Sequence, residues 1–226
     1  MIKNISNLGD SALYCDFGKE VNREINSNVI NYFKNIKEKN INGITNLAPS
    51  YNKLIITFDL SLTNFNKLKE EIKNIKLKAF DTKKNKIIKI PICCDKEFAL
   101  DMEKLETKLK NSIEEIQANF FAREYYCYMT GFIAGMPFLG DIDKKLRAKR
   151  LETPRVRVPK GSVGITEQFC NIYTFESPGG WNIIGNTPIN IFDKSNTSNP
   201  ALINPGDTVS FFKINKKEYE NWNERK

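Results

Sequence analysis

The sequence predicts an α+β protein with two unlike halves, and three observations carry the prediction. Up to Ile92, strand-like and helix-like patterns alternate. After Tyr125, short β-type runs are punctuated by glycine and proline, and a helical stretch joins the halves.

The elements follow in order. Ala12–Phe17 is a short apolar run after the turn signal Gly9-Asp10. From Asn22 to Lys39, the residues Ile25, Val29, Tyr32, Phe33 and Ile36 keep a 3.6 period, which predicts an amphipathic helix. Gly43–Leu47 and Leu54–Phe58 read as strands joined by a turn at Pro49-Ser50-Tyr51-Asn52. A second helix over Asn64–Ile75 places Phe65, Leu68, Ile72 and Ile75 on one face, and Ile87–Ile92 reads as a closing strand. Strand–helix–strand–strand–helix–strand is the ferredoxin-like, split βαβ order. Residues 96–123 form a helical connector with Phe98, Leu105, Leu109, Ile113 and Ile116 as its apolar positions. Beyond it, turn signals such as Pro159-Lys160-Gly161, Ser177-Pro178-Gly179-Gly180 and Asn204-Pro205-Gly206-Asp207 separate short strands, as in a β-barrel or sandwich. The expected domains are residues 1–95, the connector 96–123 and a barrel over 124–226. Asn215–Lys226 reads as a short charged helix or a frayed end.

Composition excludes several chemistries. The chain has 226 residues and no histidine, so it holds no Ser-His-Asp triad, Cys-His pair or histidine-ligated zinc. Five cysteines in irregular spacing read as free thiols in a reducing cytoplasm. No run has the length of a membrane span or the pattern of a signal peptide, so the expectation is a cytoplasmic protein with no membrane partner. The net charge of +8 is local: Lys144–Lys160 holds eight basic residues and one acid, leaving the rest at +1. Pro154 and Pro159 break any helix there, and no aromatic is interleaved, so nucleic acid is not the expected partner.

Within this segment, Lys144–Arg150 reads as a solvated loop. Arg155-Val156-Arg157-Val158 alternates, which predicts both guanidinium groups on one strand face and both valines toward the core. Two such forks suit a carboxylate or phosphate; a salt-bridged barrel rim is the alternative. Lys160, Gly161 and Ser162 form one tight turn, and Ser177, Gly179 and Gly180 another, where bare N–H groups can meet a ligand. Glu176 is the candidate acid or base in a chain without histidine. The candidate substrate or anion site is therefore Arg155, Arg157, Lys160, Ser162, Glu176, Ser177, Gly179 and Gly180, with no catalytic residue assigned and no metal site. Gly180–Thr187 has P-loop glycine spacing, but Asn186 replaces the lysine and Pro188 blocks the required helix.

The run Gly131-Phe132-Ile133-Ala134-Gly135-Met136-Pro137-Phe138-Leu139-Gly140 leads to Thr153-Pro154-Arg155-Val156-Arg157-Val158-Pro159-Lys160-Gly161-Ser162. It is followed by Glu176-Ser177-Pro178-Gly179-Gly180-Trp181, Gly185, Thr187-Pro188 and Phe192-Asp193. Together these resemble the 5-oxoprolinase B-subunit family, also known as allophanate hydrolase subunit 1 or the sporulation kinase A inhibitor family. Gly9-Asp10-Ser11-Ala12-Leu13, Ile90-Pro91 and Gly206-Asp207 extend the likeness along nearly the whole chain.

The resemblance implies a cyclophilin-like β-barrel after the α/β lobe. It also implies a subunit of an ATP-dependent lactam hydrolase, active only in complex, that converts 5-oxo-L-proline to L-glutamate. The implied partners are a protein like the 5-oxoprolinase C-subunit and a lactam-utilisation subunit. ATP with Mg would be bound by the complex, and no cofactor by this chain alone. The alternatives are a kinase-inhibitor-like binding module and a carboxyltransferase or allophanate hydrolase-type subunit, although no biotin-accepting lysine motif is present. The chain departs from the family at several positions. Ala134, Met136, Phe138 and Asp141 alter its GFxPGFxYLGG run, and Phe120 stands where many members have histidine. Phe169–Thr174 replaces GQTGIYP, and Asn186 replaces the arginine of GRTP.

Overall fold

The computed structural model describes residues 1–78 and 87–222, in two compact units, Met1–Lys84 and Asn85–Lys226. In the first unit the elements are β1 (Asn4–Asn7), β2 (Ala12–Asp16), α1 (Arg23–Lys39), β3 (Ile44–Pro49), β4 (Lys53–Phe58) and α2 (Phe65–Lys73). The strands form one antiparallel sheet in the order β1-β2-β4-β3. One sheet face presents Leu13, Cys15, Leu54 and Ile56. It is buried under Val29, Tyr32 and Ile36 of α1 and Leu68 and Ile72 of α2, as the 3.6 period requires.

Both helices begin at asparagine caps: Asn22 accepts the Ile25 N–H at 2.9 Å and Asn64 accepts that of Lys67 at 3.0 Å. Buried asparagines tie loops to α1. Asn26 donates to the carbonyls of Ser50 and Tyr51, and Asn35 pairs with Lys78 through both ends of its carboxamide.

The second unit contains β5 (Ile87–Cys93), α3 (Met102–Leu109), α4 (Ile113–Phe121), β6 (Glu124–Thr130) and β7 (Pro137–Gly140). A 3₁₀ turn at Lys144–Leu146 precedes β8 (Arg155–Val158), β9 (Ser162–Thr166), β10 (Phe169–Ile172), β11 (Ser177–Gly179), β12 (Asn182–Asn186), β13 (Thr208–Ile214) and α5 (Lys216–Glu220). Seven strands close a barrel in the order β10-β7-β6-β13-β5-β12-β9, and β8 with β11 forms a separate two-stranded ribbon. The α+β class with a barrel is thus the observed one.

One strand changes partners. Ile87–Ile92, expected to close the N-terminal sheet, lies in β5, which pairs in parallel with β13 through seven residues and joins the barrel. A continuous apolar run carries no alternation and cannot reveal its sheet. With Ile90, Pro91, Ile92 and Cys93 all buried, it suits a position covered on both faces, unlike the alternating strands of the first unit. The expected division after residue 95 therefore gives way to one before β5. The first sheet gains a strand that sequence reading missed, β1, whose Asn-Ile-Ser-Asn composition has no strand signal and is recruited by pairing with β2.

The helices expected as a connector pack on the barrel unit's core through Met102, Leu105, Ile116 and Phe120. A capping box between Ser112 and Glu115 starts α4. Phe120 lies at 1 % exposure, with its ring 5.0 Å from Phe211, and its carbonyl accepts the Tyr125 hydroxyl at 2.7 Å. This departure from the resembling family is a core position. Residues 223–226 of the expected terminal helix lie outside the described residues.

Candidate functional site

The β8–β11 ribbon positions most of the candidate residues, and its register decides what they do. Val158 pairs with Ser177 and Arg155 with Gly179, so β8 carries one residue more than β11 between those pairs. Such a bulge breaks the period-two alternation. Arg155 and Val158 turn inward, while Val156 and Arg157 both face solvent, Val156 at 80 % exposure. The expectation of two arginines on one face and two valines in the core is corrected accordingly.

The two guanidinium groups also have different partners. Arg155 Nη2 donates to Asp101 Oδ1 at 2.6 Å, and Asp101 is 1 % exposed. Asp101 Oδ2 accepts the Ile183 N–H at 2.7 Å, and its own N–H donates to the Ile183 carbonyl at 3.0 Å. The carboxylate at the start of α3 therefore ties helix, ribbon and β12 together and makes no side-chain cap bond. Arg157 Nε stands 3.7 Å from Glu176 Oε1, both side chains mostly in solvent, a pair worth about 0–1 kcal/mol.

The turn at Lys160–Ser162 is structural. Gly161 has φ +82°, its N–H donates to the Tyr173 carbonyl at 2.7 Å, and Asn186 Nδ2 donates to the Lys160 carbonyl at 2.9 Å. Asn186 Oδ1 accepts the Tyr219 hydroxyl at 2.8 Å, fastening α5 to this end of the barrel, and buried Ser162 lies against the same amide. A Cβ on Gly161 would stand 2.5 Å from both the Thr187 carbonyl oxygen and Asn186 Oδ1. We expect Gly161→Ala to lose at least about 2 kcal/mol, from left-handed strain plus a clash that the backbone cannot relieve cheaply. Urea unfolding measures it, and a loss under about 0.5 kcal/mol would contradict this account.

On the side of the sheet facing away from the barrel core, Phe138, Asn171, Gly164 and Ile183 align across β7, β10, β9 and β12. The ribbon covers this patch and buries Met136, Val158, Tyr173 and Ile183, with Trp181 edge-on to Phe138 at 5.6 Å. A Cβ on Gly179 would run into the Tyr173 hydroxyl, so glycine is needed for the ribbon to lie this close. A Cβ on Gly180 would meet the Pro154 ring at 3.6 Å and the Leu151 carbonyl oxygen at 3.7 Å, both ordinary contacts. Burial raises the Tyr173 phenol above its ordinary range, and hydrogen bonding with the Asn171 side chain and the Arg150 and Arg155 charges partly offset this. Among the described residues, Ser177 Oγ and Arg155 Nη1 are buried without completing a hydrogen bond. Each such group costs about 1–3 kcal/mol when left unpaired.

The structure thus brings Arg155, Ser177 and Gly179 to one buried patch, leaves Arg157 and Glu176 together at the surface, and assigns Lys160 and Ser162 to the barrel-end turn. Asp101, Asn171, Tyr173 and Asn186 were not among the expected site residues. Asp101 sits in a helical stretch rich in charges, where nothing in the spacing singles it out.

The free thiols offer no ready nucleophile: burial pushes Cys94 up to about 12 and Cys170 well above the ordinary thiol range. Among the described residues no group of three or more His, Cys, Asp or Glu could hold a metal ion, and no helix is long and apolar enough to cross a membrane.

A closed barrel joined by this signature ribbon defines the class: the chain belongs to the family described as carboxyltransferase domain, subdomain C and D, whose model matches residues 3–203. Within that class it stands with the B-subunit of 5-oxoprolinase. The Bacillus subtilis (strain 168) protein of that name is 33 % identical over 97 % of this chain and 96 % of its own length. Urea amidolyase of Saccharomyces cerevisiae (strain ATCC 204508 / S288c) is 24 % identical over 96 % of this chain, which spans 13 % of that protein. The crystal structure of TTHA0988 superposes with a TM-score of 0.82 at 27 % identity, over 91 % of this chain and 40 % of that one. The chain therefore spans less than half of that solved relative.

Proposed function

We propose that this chain is a cytoplasmic subunit of an ATP-dependent enzyme that opens 5-oxo-L-proline to L-glutamate, working with a protein like the 5-oxoprolinase C-subunit and a lactam-utilisation subunit. The carrying observation is the near full-length likeness to a protein named as the B-subunit of 5-oxoprolinase. An unstrained lactam resists water, and phosphorylation of its carbonyl oxygen by ATP would activate the carbon. Water would then add, the ring C–N bond break with the amine leaving, and the resulting acyl phosphate be hydrolysed to carboxylate and phosphate.

The residues of this chain do not fit the triphosphate. Arg155 is committed to Asp101, Arg157 faces Glu176 in solvent, and the Gly180–Thr187 stretch holds the β-strand Asn182–Asn186 and no helix N-terminus. The nucleotide and its Mg are therefore assigned to other subunits.

The test is reconstitution with the two partner subunits. ATP hydrolysis should rise at least about tenfold on adding 5-oxo-L-proline and form glutamate in proportion. Unchanged hydrolysis sinks the reading. The likeness to urea amidolyase favours a second reading, a carboxyltransferase piece serving a biotinylated carrier. Carboxyl transfer to an amide substrate, with no 5-oxoproline turnover, would establish that one instead.

A further inference from the structure

The sheet of the first unit ends at β3, so one side of that strand has no neighbouring strand. Which of its backbone groups face that side follows from the ladder. The Ser50 N–H donates to the Lys53 carbonyl at 2.8 Å, and hydrogen-bonded pairs alternate along an antiparallel ladder. Ala48, opposite Ile55, and Asn46, opposite Thr57, therefore direct their N–H and C=O to β4. Leu47, between them, turns both groups to the open edge. Pro49 ends that edge on one side because it has no N–H, and the bulge between Ile44 and Asn46 ends it on the other.

Beside this edge lies an open cavity of about 290 Å³. Ile44 and Leu47 form its floor; they oppose buried Phe58 and Ile56, so they stand on the helix-covered face of the sheet. Phe33, Ile36, Lys37 and Asn40 of α1 form its wall. The cavity is smaller than the roughly 300–1,000 Å³ of small-molecule sites and suits one large apolar side chain. A strand laid beside β3, about 4.8 Å away, sends every second side chain to this face. Of the described residues that line the cavity, Lys37 alone is charged; it is exposed, with Nζ 5.8 Å from the centre of the Phe33 ring.

We propose that this edge and cavity bind an extended, acidic peptide segment of a protein partner. The segment pairs with Leu47 as a fifth strand of the sheet, donating to its carbonyl and accepting its N–H. One apolar side chain of the segment fills the cavity, and an Asp or Glu two residues away, on the same face, meets Lys37. A second copy of this chain is the poorer occupant. Two-fold pairing of β3 edges would set the same cationic lining on both sides and supply it with no carboxylate. The groove uses none of the candidate-site residues, so it stands apart from the lactam-hydrolase reading.

A random heptapeptide library displayed on phage and panned on the full chain tests the proposal. Selected peptides should share a large apolar residue with Asp or Glu two positions away, and should bind the chain in fluorescence polarisation. Lys37→Glu, an exposed change, should keep the fold, weaken these peptides about fivefold, and on renewed panning replace the acid by Lys or Arg. Leu47→Pro removes the outward N–H without breaking a bond to β4, and should weaken them about tenfold or more. Where that variant fails to fold, N-methylated peptides probe the same bonds. Methyl groups on alternate residues should cost at least about tenfold in affinity and those on the intervening residues little. Selection of no peptide, a consensus without an acid, or equal binding by Lys37→Glu and wild type overturns the proposal. So does a dimer in solution that Leu47→Pro separates, which would give the edge to a second copy.

Discussion

A fragment of residues 96–226 should fail to fold, whereas 85–226 should unfold in one cooperative urea transition. The difference between them includes β5. That strand pairs with β13 from Ile87↔Thr208 to Cys93↔Ile214 and meets β12 at Cys93↔Asn186. Its removal opens a closed barrel at two edges, and open edges recruit other chains. It also takes Ile90, Ile92 and Cys93, all fully buried, out of the core. At about 1.5–3 kcal/mol for each large apolar side chain, together with a whole ladder of hydrogen bonds, the loss rivals the ~5–15 kcal/mol that holds a domain folded. Near-ultraviolet circular dichroism and gel filtration of the two fragments decide the matter. A shorter fragment that stays monomeric and melts cooperatively would show that β5 is dispensable.

Asp101→Ala should destabilise the second unit by about 3–5 kcal/mol, as expected when one member of a buried pair is removed. Two losses combine. The inward-turned Arg155 keeps its charge without its carboxylate, and the Ile183 N–H loses its acceptor inside the barrel wall. The double variant Asp101→Ala, Arg155→Met should recover part of the loss, because it no longer strands a charge, but not the part due to Ile183. Urea unfolding of the four proteins of this cycle gives the coupling directly. A single variant within about 1 kcal/mol of wild type would mean that water reaches the pair freely.

Much of the architecture was legible because local patterns and the fold agree. Apolar spacing located α1 and α2, and asparagines just ahead of each supplied their caps. Turn signals from Gly131 onward separated the barrel strands. Pro188 and Asn186 disposed of the P-loop resemblance, and Asn182–Asn186 is indeed a strand. The candidate site was legible only in part. Arg155, Ser177 and Gly179 do meet in one patch, yet the alternation in Arg155–Val158 misled because one extra residue in β8 rotates its middle outward. Nothing in that tetrapeptide reveals a bulge, which is a property of how two strands count against each other.

The sequence by itself determined the α+β class, the run of short strands after Tyr125, the absence of histidine chemistry and the family, since each rests on residue types and spacings within one stretch of chain. Only the tertiary structure decided which sheet receives Ile87–Cys93 and which arginine is held by a buried carboxylate. Each of these depends on a partner far along the chain: Thr208–Ile214 for the strand and Asp101 for Arg155. Hydrogen-bond complementarity is fixed only when both sides are in place, so a residue's own neighbours cannot disclose it.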